Sequence, residues 1–427
     1  MPFRSVAASG TSVQKSFTPA LILLGLAIVI NYVDRGNLSI AAPLIGNELL
    51  LSATQLGFLL SAFFYTYTAL QFVIGAIVDR FGSNMCLSAG LFLWSLATFA
   101  TGFAGGFASL LALRLLLGIG ESVAFPCTSK VIAQNVPPEK RGLANGVITA
   151  GLKLGPAVAA FGAGLLIAKW GWRPVFLAIG LASLFWLPAW WKWMPRQHGQ
   201  GEEASSRVGY KEILSRRSFW GCAAGHLSFN YLSYFFLTWL PSYLSHDRHL
   251  SQEAISRAAG AYYLVDSASA LLTGWLCDVW IQHGGPPSFV RKSAFAIGHT
   301  TVAVAGLACA LAGPHAYFPW LLLAGVGSGA AGCGVFLFAQ HIAGPRAVGR
   351  WSALQNGFGN FAGLIAPALT GFLVDRTGHF LAAFAVTAMI SLAGGAVWIF
   401  AVRFAPANWS PDAESLPNAA ISRSSMC

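Results

Sequence analysis

The stretch GAIVDRFG at residues 75–82 ends a long apolar run, and part of its pattern returns as GWLCD at residues 274–278. The glycines of the two copies are 199 residues apart, and so are the aspartates. A second pair of glycines, at positions 164 and 171, returns at positions 371 and 378 with a spacing of 207 residues. Two repeats at nearly one spacing indicate that the chain consists of two similar halves.

The composition around these repeats is typical of a helical membrane protein. Of the 427 residues, 56% are hydrophobic and only 10% are charged, whereas a soluble domain carries about 25% charged residues. The apolar runs are nearly continuous and reach the roughly 20 residues that a membrane-spanning helix needs. A β-barrel would instead show segments of about ten residues with alternating polarity. The lipid bilayer is therefore the expected surroundings of this chain.

The apolar runs predict twelve membrane-spanning helices in two bundles of six. The predicted spans are 18–46, 54–78, 86–104, 108–133, 142–168, 173–193, 218–244, 255–277, 291–311, 317–341, 350–374 and 379–402. The predicted organisation is an N-terminal tail (1–17), a first six-helix bundle (18–193), a hydrophilic linker (194–217), a second six-helix bundle (218–402) and a C-terminal tail (403–427).

The positive charges predict the orientation of the chain. The net charge is +11, and with both termini in the cytoplasm eighteen of the 26 lysines and arginines fall on the cytoplasmic side and five on the outer side. This bias follows the positive-inside rule, so we expect two cytoplasmic termini and no nucleic-acid partner. The seven cysteines show no metal-binding spacing, and neither a metal nor a cofactor is expected.

Five ionisable residues lie inside the apolar runs: Asp34, Arg35, Arg114, Glu121 and Lys153. A charge at the centre of a bilayer costs about 2.5–3.5 kcal/mol on insertion scales. Charges of both signs that persist in spite of this cost indicate a polar pathway through the membrane, with carboxylates that take up protons and cations that hold an anion.

The opening stretch resembles the loop 2–3 signature of the major facilitator superfamily, G-x-x-x-D-R-x-G. This resemblance implies an all-α integral membrane protein with twelve transmembrane helices in two six-helix pseudo-repeats. In that family the loop gates the cytoplasmic side, although Ser83 and Asn84 stand here where the family usually has Arg-Lys. The residues that match the signature are Gly75, Asp79, Arg80 and Gly82, with Gly274 and Asp278 in the second half.

Further stretches resemble the anion:cation symporter branch of that superfamily, which includes bacterial galactonate, glucarate, tartrate and phthalate permeases. The similar stretches are NYVDRGN (31–37), RLLLGIGESVAFP (114–126), YFFLTWLPSYL (234–244) and the two asparagines at 356 and 360 before Pro367. The resemblance implies a bacterial inner-membrane protein that imports a small organic anion by proton symport with alternating access. We expect it to act as a monomer.

Arg114 and Glu121 are seven residues apart and therefore lie on one face of a helix. Burial favours the neutral form of a carboxyl group and a nearby cation favours the charged form, so an anion bound to Arg114 changes the proton affinity of Glu121. The resemblance implies that Glu121 is the main proton-coupling residue and Asp34 the second. The alternative is a buried ion-pair network that only fixes helix packing.

Two arginines and three neutral polar residues are candidates for substrate binding. Arg35 and Arg114 can each grip a carboxylate with two hydrogen bonds, although Arg35 would instead reach the surface if it lies near the end of its helix. By resemblance Tyr67 contacts substrate, or it is an ordinary membrane aromatic residue. Asn356 and Asn360 share one helix face and bind either substrate hydroxyls or a neighbouring helix.

The chain departs from the sugar-acid permeases in its fifth predicted helix. Those permeases often have a glutamine in the segment that matches residues 151–156, where this chain has Leu152 followed by Lys153. Lys153 either adds a cation to the cavity, which would favour a dianion, or faces lipid. Asp266 is either a third proton site or a helix cap, and His226 either lines the cavity or packs inside the bundle.

A proton-coupled drug or metabolite exporter is the alternative function. Gly151, Gly155 and Pro156 partly match the G-x-x-x-G-P of exporters, but Ala159 and Ala160 stand where exporters continue with two glycines. Buried arginines suit an anion better than a lipophilic cation. The sequence contains no HExxH, GxSxG or P-loop motif, so an enzyme is not expected.

Overall fold

The computed structural model describes residues 10–136, 141–194, 208–313, 316–403 and 405–409. These residues form helices joined by short connections, and no β-strand occurs among them. The predicted tails (1–17 and 403–427) and the predicted linker (194–217) lie partly outside the described residues. Within the linker, a short helix spans Tyr210–Leu214.

The long helices are numbered α1 to α12, and two segments that a short break separates count as one helix. The helices are α1 (Gly10–Glu48), α2 (Ala53–Gln71 and Ile74–Phe81), α3 (Ser83–Thr101), α4 (Phe107–Glu121 and Ala124–Asn135), α5 (Arg141–Val158, the π-helical Ala159–Ala163 and Gly164–Trp170), α6 (Trp172–Leu184 and Trp186–Trp193), α7 (Arg217–His246), α8 (Gln252–Gln282), α9 (Pro287–Leu311), α10 (Tyr317–Gly332, resuming at Val335), α11 (Arg350–Thr377) and α12 (Leu381–Ala396 and the π-helical Val397–Ala401). Gly344, with φ of 62°, separates α10 from α11.

These helices correspond to the twelve predicted spans. Ten of them are long and apolar enough to cross a membrane. The other two, α2 and α7, have comparable lengths. The two halves meet where α2 packs on α11, α1 on α7 and α5 on α8. Two six-helix halves therefore pack side by side, as the sequence repeats predict.

The outer end of the molecule is defined here as the end that carries the α1–α2, α5–α6, α7–α8 and α11–α12 connections, and the opposite end is the inner end. Gly171 after α5 and Gly378 after α11 occupy equivalent places at the outer end. Their φ angles are 77° and 76°, a region that glycine adopts without the steric cost of a side chain. The repeated glycines thus end equivalent helices of the two halves with a positive φ, although their ψ angles of 172° and 3° differ.

The other repeated glycines bring the two halves into contact. A Cβ atom added at Gly164 would lie 2.4 Å from Ser256 Oγ at the start of α8. One added at Gly371 would lie 2.3 Å from the backbone oxygen of Ala53 at the start of α2. Each half therefore uses a glycine of its fifth helix to approach the second helix of the other half.

Polar contacts complete this closure of the outer end. The carboxylate of Asp375, near the end of α11, accepts hydrogen bonds from the backbone N–H groups of Ala53 (3.0 Å) and Thr54 (2.7 Å). These N–H groups belong to the first turn of α2 and have no partner within that helix. Gln252 Nε2 donates to the backbone oxygen of Ile40 over 2.9 Å. Asp375 thus caps a helix of the opposite half.

Several helices that the sequence predicts as continuous are broken. In α4, the helix is interrupted after Glu121. Pro126 explains this break, because its ring clashes with the carbonyl of Ser122, four residues earlier. The side chain of Gln71, where the first segment of α2 ends, donates to that carbonyl over 3.1 Å. A polar side chain of α2 therefore satisfies the interrupted backbone beside Glu121.

Replacement of Asp375 by alanine should open the outer end. Loss of a capping side chain costs about 0.5–2 kcal/mol, which corresponds to a roughly 2- to 30-fold shift in population. We expect Asp375→Ala to lengthen the distances between spin labels placed on the outer ends of α2 and α11, as measured by pulsed electron resonance. Glu253→Ala, which removes an exposed carboxylate of α8, serves as the control. Identical distance distributions in the wild type and Asp375→Ala would contradict the capping role.

Candidate functional site

Close packing between α2 and α4 brings the charged residues of α4 next to aromatic residues of α2. A Cβ atom added at Gly118 would lie 2.3 Å from the backbone oxygen of Phe63, so a glycine is required for this approach. Arg114 lies about one turn before Gly118 and Glu121 lies three residues after it. Both side chains therefore project from the part of α4 that touches α2.

A buried ion pair joins α1 to α4. Arg35 Nε donates to Glu121 Oε2 over 2.8 Å, and the two side chains are 3% and 0% exposed. Asn31 lies beside Glu121. In the described part of the chain, the second oxygen of Glu121 and Nη2 of Arg35 have no hydrogen-bond partner. The direct partner of Glu121 is thus Arg35, whereas helical spacing along α4 points to Arg114 as its neighbour.

Three aromatic rings surround the guanidinium of Arg35. Its central carbon lies 4.8 Å from the ring centroid of Tyr32, 4.5 Å from that of Phe63 and 4.7 Å from that of Tyr67. Cation–π contacts of this kind stabilise a buried cation. Arg35 therefore lies in the protein interior, so the alternative in which it reaches the surface is wrong. Tyr67 is buried beside it, and its contact with substrate stays a prediction.

Arg114 and Asp34 are a buried cation and a buried carboxyl group that lie outside the Arg35–Glu121 ion pair. Arg114 is 5% exposed, and its guanidinium lies 5.6 Å from the centroid of Phe63. Asp34 is 2% exposed, with Thr98 close by and both Glu121 and Arg114 within electrostatic range. Among the described residues neither side chain forms an ion pair, and both oxygens of Asp34 lack a hydrogen bond of regular geometry. Because an unpaired buried charge is costly, an anion bound to Arg114 would stabilise it.

The second half contributes a hydrogen-bonded pair to this centre. Tyr234 of α7 donates to Asn360 Oδ1 over 2.7 Å, and Asn360 Nδ2 donates to the backbone oxygen of Asn356 over 2.8 Å. The ring of Tyr234 packs on Phe64 of α2 at 4.4 Å between centroids. Tyr234 also lies within electrostatic range of Arg35. Asn360 thus binds a neighbouring helix, and a substrate contact for either asparagine stays a prediction.

Lys153 lies between the two halves and not at the lipid face. Its ammonium donates to Asp266 Oδ2 of α8 over 3.1 Å and lies 5.9 Å from the ring centroid of Phe229 of α7. Ser267, next to Asp266, donates to the backbone oxygen of Lys153 over 2.8 Å. The side chains of Lys153 and Asp266 are 19% and 13% exposed. Asp266 therefore pairs with Lys153 and does not act as a helix cap.

His226, the remaining candidate of the second half, packs inside the bundle. The residue is 3% exposed, and its ring contacts Phe336 of α10 edge to face at 5.2 Å. A Cβ atom at Gly359 of α11 would lie 2.9 Å from the same ring. His226 thus fills the space between three helices of the second half.

The signature residues of the first half lie at the inner end of α2. Gly82, with φ of 85°, connects α2 to α3. Arg80 lies over the ring of Phe81 at 5.4 Å, and a Cβ atom added at Gly75 would meet open space. The side chain of Asp79 lies outside the described residues. A gating role for these four residues remains a prediction.

The corresponding residues of the second half include an ion pair. Asp278 at the end of α8 accepts from Arg291 Nη2 of α9 over 2.8 Å. Gly274, like its counterpart, faces open space. This pair supplies a cation to the second loop, whereas the first loop lacks the usual Arg-Lys.

Three residues of the charged centre or of the closed outer end were not predicted from the sequence. Phe63 lies within cation–π range of both buried arginines, Tyr234 connects the halves, and Asp375 caps α2. For Asp375 a signal exists, because residues 371–378 read GFLVDRTG and repeat the letters G-x-x-x-D-R-x-G of residues 75–82. No comparable signal marks Phe63, since its role depends on its neighbours in space.

Twelve long helices in two repeated halves, with charged side chains buried where the halves meet, define a secondary transporter. A family model confirms this architecture over most of the chain. The chain belongs to the Major Facilitator Superfamily, whose model matches residues 24–363 and 242–426.

Several curated relatives are similar over nearly their whole length. The hexuronate transporter of Bacillus subtilis is 32% identical over 393 residues, which cover 87% of this chain and 91% of the relative. A probable L-galactonate transporter of Escherichia coli is 31% identical over 424 residues, 92% of this chain and 91% of the relative. A probable galactarate/D-glucarate transporter of E. coli is 29% identical over 423 residues, 90% of this chain and 95% of the relative. The relatives are named as transporters and not as enzymes, which confirms the predicted class and the resemblance to sugar-acid permeases.

A solved structure supports the fold independently. A bacterial homolog of the human lysosomal transporter Spinster, in an inward-facing and occupied conformation, superimposes with a TM-score of 0.75. The match covers 92% of this chain and 98% of the homolog at 19% sequence identity. At this identity the similarity concerns the fold alone.

Removal of the Glu121 side chain should destabilise the bundle. Glu121→Ala leaves Arg35 buried without its counter-ion, and loss of one partner of a buried pair costs about 3–5 kcal/mol. Glu121→Gln keeps an oxygen that accepts from Arg35 Nε and should cost less. Unfolding in detergent measures the stability of both variants, and Glu121→Ala should be the less stable. Glu253→Ala, at the exposed pair with Arg257, is the control. Equal stability of Glu121→Ala and this control would argue against a structural Arg35–Glu121 pair.

Proposed function

We propose that this protein imports an organic anion of the sugar-acid class into the cytoplasm by proton symport. The observation that carries the proposal is the buried guanidinium of Arg114, which forms no ion pair with the described residues, beside two buried carboxyl groups, Asp34 and Glu121. A cation that lacks a counter-ion favours binding of a carboxylate, and the acids beside it can exchange protons. The names of the curated relatives support the sugar-acid class.

Arg114 is the primary anchor of the substrate in this proposal. Its guanidinium can donate two parallel hydrogen bonds to one carboxylate. The hydroxyl groups of a sugar acid need neutral partners, which Tyr67 of the first half and Asn356 of the second half supply. Because these partners belong to different halves, a bound sugar acid draws the halves together.

Glu121 couples the proton to the anion through Arg35. While Glu121 is ionised, it holds Arg35 at 2.8 Å and competes with substrate for that guanidinium. When Glu121 takes up a proton, the ion pair is lost and Arg35 becomes available to the substrate carboxylate. Proton and anion therefore favour each other's binding, which is the thermodynamic requirement for symport.

Asp34 is the second proton-coupling residue in this proposal. Asp34 lies near Arg114, whose positive charge favours the ionised form of Asp34. An anion that binds Arg114 offsets this positive charge. A proton that Asp34 then takes up offsets the added negative charge. Asp34 thus responds to substrate at Arg114, whereas Glu121 acts through Arg35.

Alternating access requires that one end closes while the other opens. The cap of Asp375 on α2 and the glycine contacts hold the outer end closed. Outward opening breaks these contacts, and the signature loops at the inner end, including Arg80 and Asp278, then gate the cytoplasmic side. Both termini face the cytoplasm of a bacterial inner membrane in this proposal.

Uptake into proteoliposomes tests the proposal. Purified protein should accumulate labelled galactonate or hexuronate above equilibrium when an inward proton gradient is imposed, and a protonophore should abolish the accumulation. Liposomes without protein are the control. Organic-acid uptake that does not depend on the proton gradient would refute symport. Proton-driven export of a dye without any organic-acid transport would favour an exporter.

Glu121→Gln should uncouple transport from protons. The amide cannot be ionised, so Arg35 stays available to substrate at any proton gradient. We expect loss of uphill accumulation, with exchange of labelled for unlabelled substrate retained. Counterflow and gradient-driven uptake in the same liposomes measure the two activities. Uphill accumulation that survives in Glu121→Gln would remove Glu121 from the coupling role.

Arg114→Ala should abolish the main anion contact. Loss of a hydrogen bond to a charged group costs about 1.5–3 kcal/mol, on the order of a 10- to 100-fold weaker Kd. Arg114→Lys keeps the charge without the planar fork and should lose less affinity. Calorimetry with the transported acid checks both variants, with Arg257→Ala on the outer surface of α8 as the control. Unchanged affinity in Arg114→Ala would place the anion elsewhere.

A further inference from the structure

The ion pair between Lys153 and Asp266 has no role in the coupling described so far. It joins α5 of the first half to α8 of the second half over 3.1 Å. Phe229 of α7 lies beside the ammonium, and Cys333, where α10 is interrupted, lies within its electrostatic range. Four helices of both halves thus surround this pair in the interior of the molecule.

The pair is connected to the Arg35 centre through α5. Gly155, two residues after Lys153, packs so closely on α1 that a Cβ atom there would lie 2.3 Å from Tyr32 Cβ. Tyr32 is one of the three rings around the guanidinium of Arg35. The segment of α5 that carries Lys153 therefore packs directly against the wall of the proposed anion site.

The charges at the centre of the bundle fall into two pairs and two single groups. Arg35 is paired with Glu121, and Lys153 is paired with Asp266. Among the described residues of these helices, Arg114 is the buried arginine that has no ion pair. While Glu121 is ionised, Arg114 is thus the one cation of the described centre that is not in an ion pair. A proton on Glu121 releases Arg35 to the same carboxylate that Arg114 binds, so neither arginine provides for a second carboxylate.

We infer that Asp266 restricts the transported substrate to acids with a single carboxylate, because it occupies the cation, Lys153, that a second carboxylate would need. This inference rests on the proposed transport of sugar acids. It reverses the expectation that Lys153 favours a dianion, since that expectation treated Lys153 as an unpaired cation.

Asp266 also suits a terminal hydroxyl of the substrate. Its Oδ1 atom has no hydrogen-bond partner in the described part of the chain, and a hydroxyl can donate to it. A second carboxylate at the same place would only bring two negative charges together, which is costly in a low-dielectric interior. The pair therefore accepts an alcohol end and rejects an acid end of otherwise equal substrates.

Galactonate and galactarate provide matched probes, because they differ only in whether the far end is an alcohol or a carboxylate. Calorimetry on the purified full chain measures the ratio of their Kd values. The wild type should prefer galactonate. Asp266→Asn releases Lys153 and should shift the ratio towards galactarate by roughly tenfold or more, the effect of one hydrogen bond to a charged group.

Two further variants identify Lys153 as the cause. The double variant Lys153→Gln/Asp266→Asn should keep the wild-type ratio of Kd values, because it has no lysine at position 153 to bind the second carboxylate. Glu253→Gln removes an acid from the same helix, at the outer surface, and should keep the wild-type ratio. An unchanged ratio in folded Asp266→Asn, or an equal shift in the double variant, would overturn the inference.

Folding and the proposed function are checked separately. If Asp266→Asn is not monodisperse in detergent, Asp266→Ser tests the same release of Lys153 with a smaller side chain. A wild type that binds neither acid would refute the proposed function itself. A wild type that binds galactonate while the Asp266 variants leave the ratio unchanged would refute only the role of Asp266.

Discussion

The buried ion pair between Arg35 and Glu121 is the interaction on which the transport centre depends. Removal of two charges from water is costly, and their mutual attraction offsets this cost only when the geometry is good and further contacts stabilise the charged groups. Here the three aromatic rings around Arg35 stabilise its charge through cation–π contacts, and close packing of α4 on α2 fixes the position of Glu121. The pair is not saturated, because one carboxylate oxygen of Glu121 has no partner among the described residues. In the proposed coupling this oxygen takes up the proton, and the loss of the ion pair then releases Arg35.

The length of the apolar runs was sufficient to predict the twelve helices, because a bilayer imposes a nearly constant helix length. The breaks were harder to predict, since the break after Glu121 depends on Pro126 and on a carbonyl that Gln71 of another helix satisfies. The charged residues were found from their cost in lipid, but their partners were not. Helical spacing shows which residues share one face of a helix, but it does not predict which other helix packs on that face. For this reason Glu121 pairs with Arg35, and Lys153 pairs with Asp266.

The repeat that identified the fold also explains how the outer end closes. Gly164 of α5 approaches the start of α8, and Gly371 of α11 approaches the start of α2. These are equivalent contacts between the halves, related by the internal repeat. The aspartate of the GFLVDRTG segment adds a charge to one of them, because Asp375 accepts from the first turn of α2. The corresponding stretch in α5 has Ala168 in place of the aspartate. The α2–α11 contact is therefore polar, whereas the α5–α8 contact depends on packing at this level and on the Lys153–Asp266 pair deeper in the bundle.

Charge balance gives the proposed coupling a physical reason. Among the described residues, three cations and three carboxylates occupy the helix interior, so the centre without substrate is neutral when all six are ionised. A monoanion alone would leave one negative charge in a low-dielectric environment during the change of access, which is unfavourable. A monoanion that binds together with one proton leaves the net charge of the centre unchanged. A dianion would need two protons for the same result. Because Asp266 already neutralises Lys153, Arg114 is the cation of the described centre that has no ion pair, and the proposed function is best balanced by one carboxylate and one proton. The proposed selection of substrate charge and the proposed coupling to protons would thus both follow from the same six side chains.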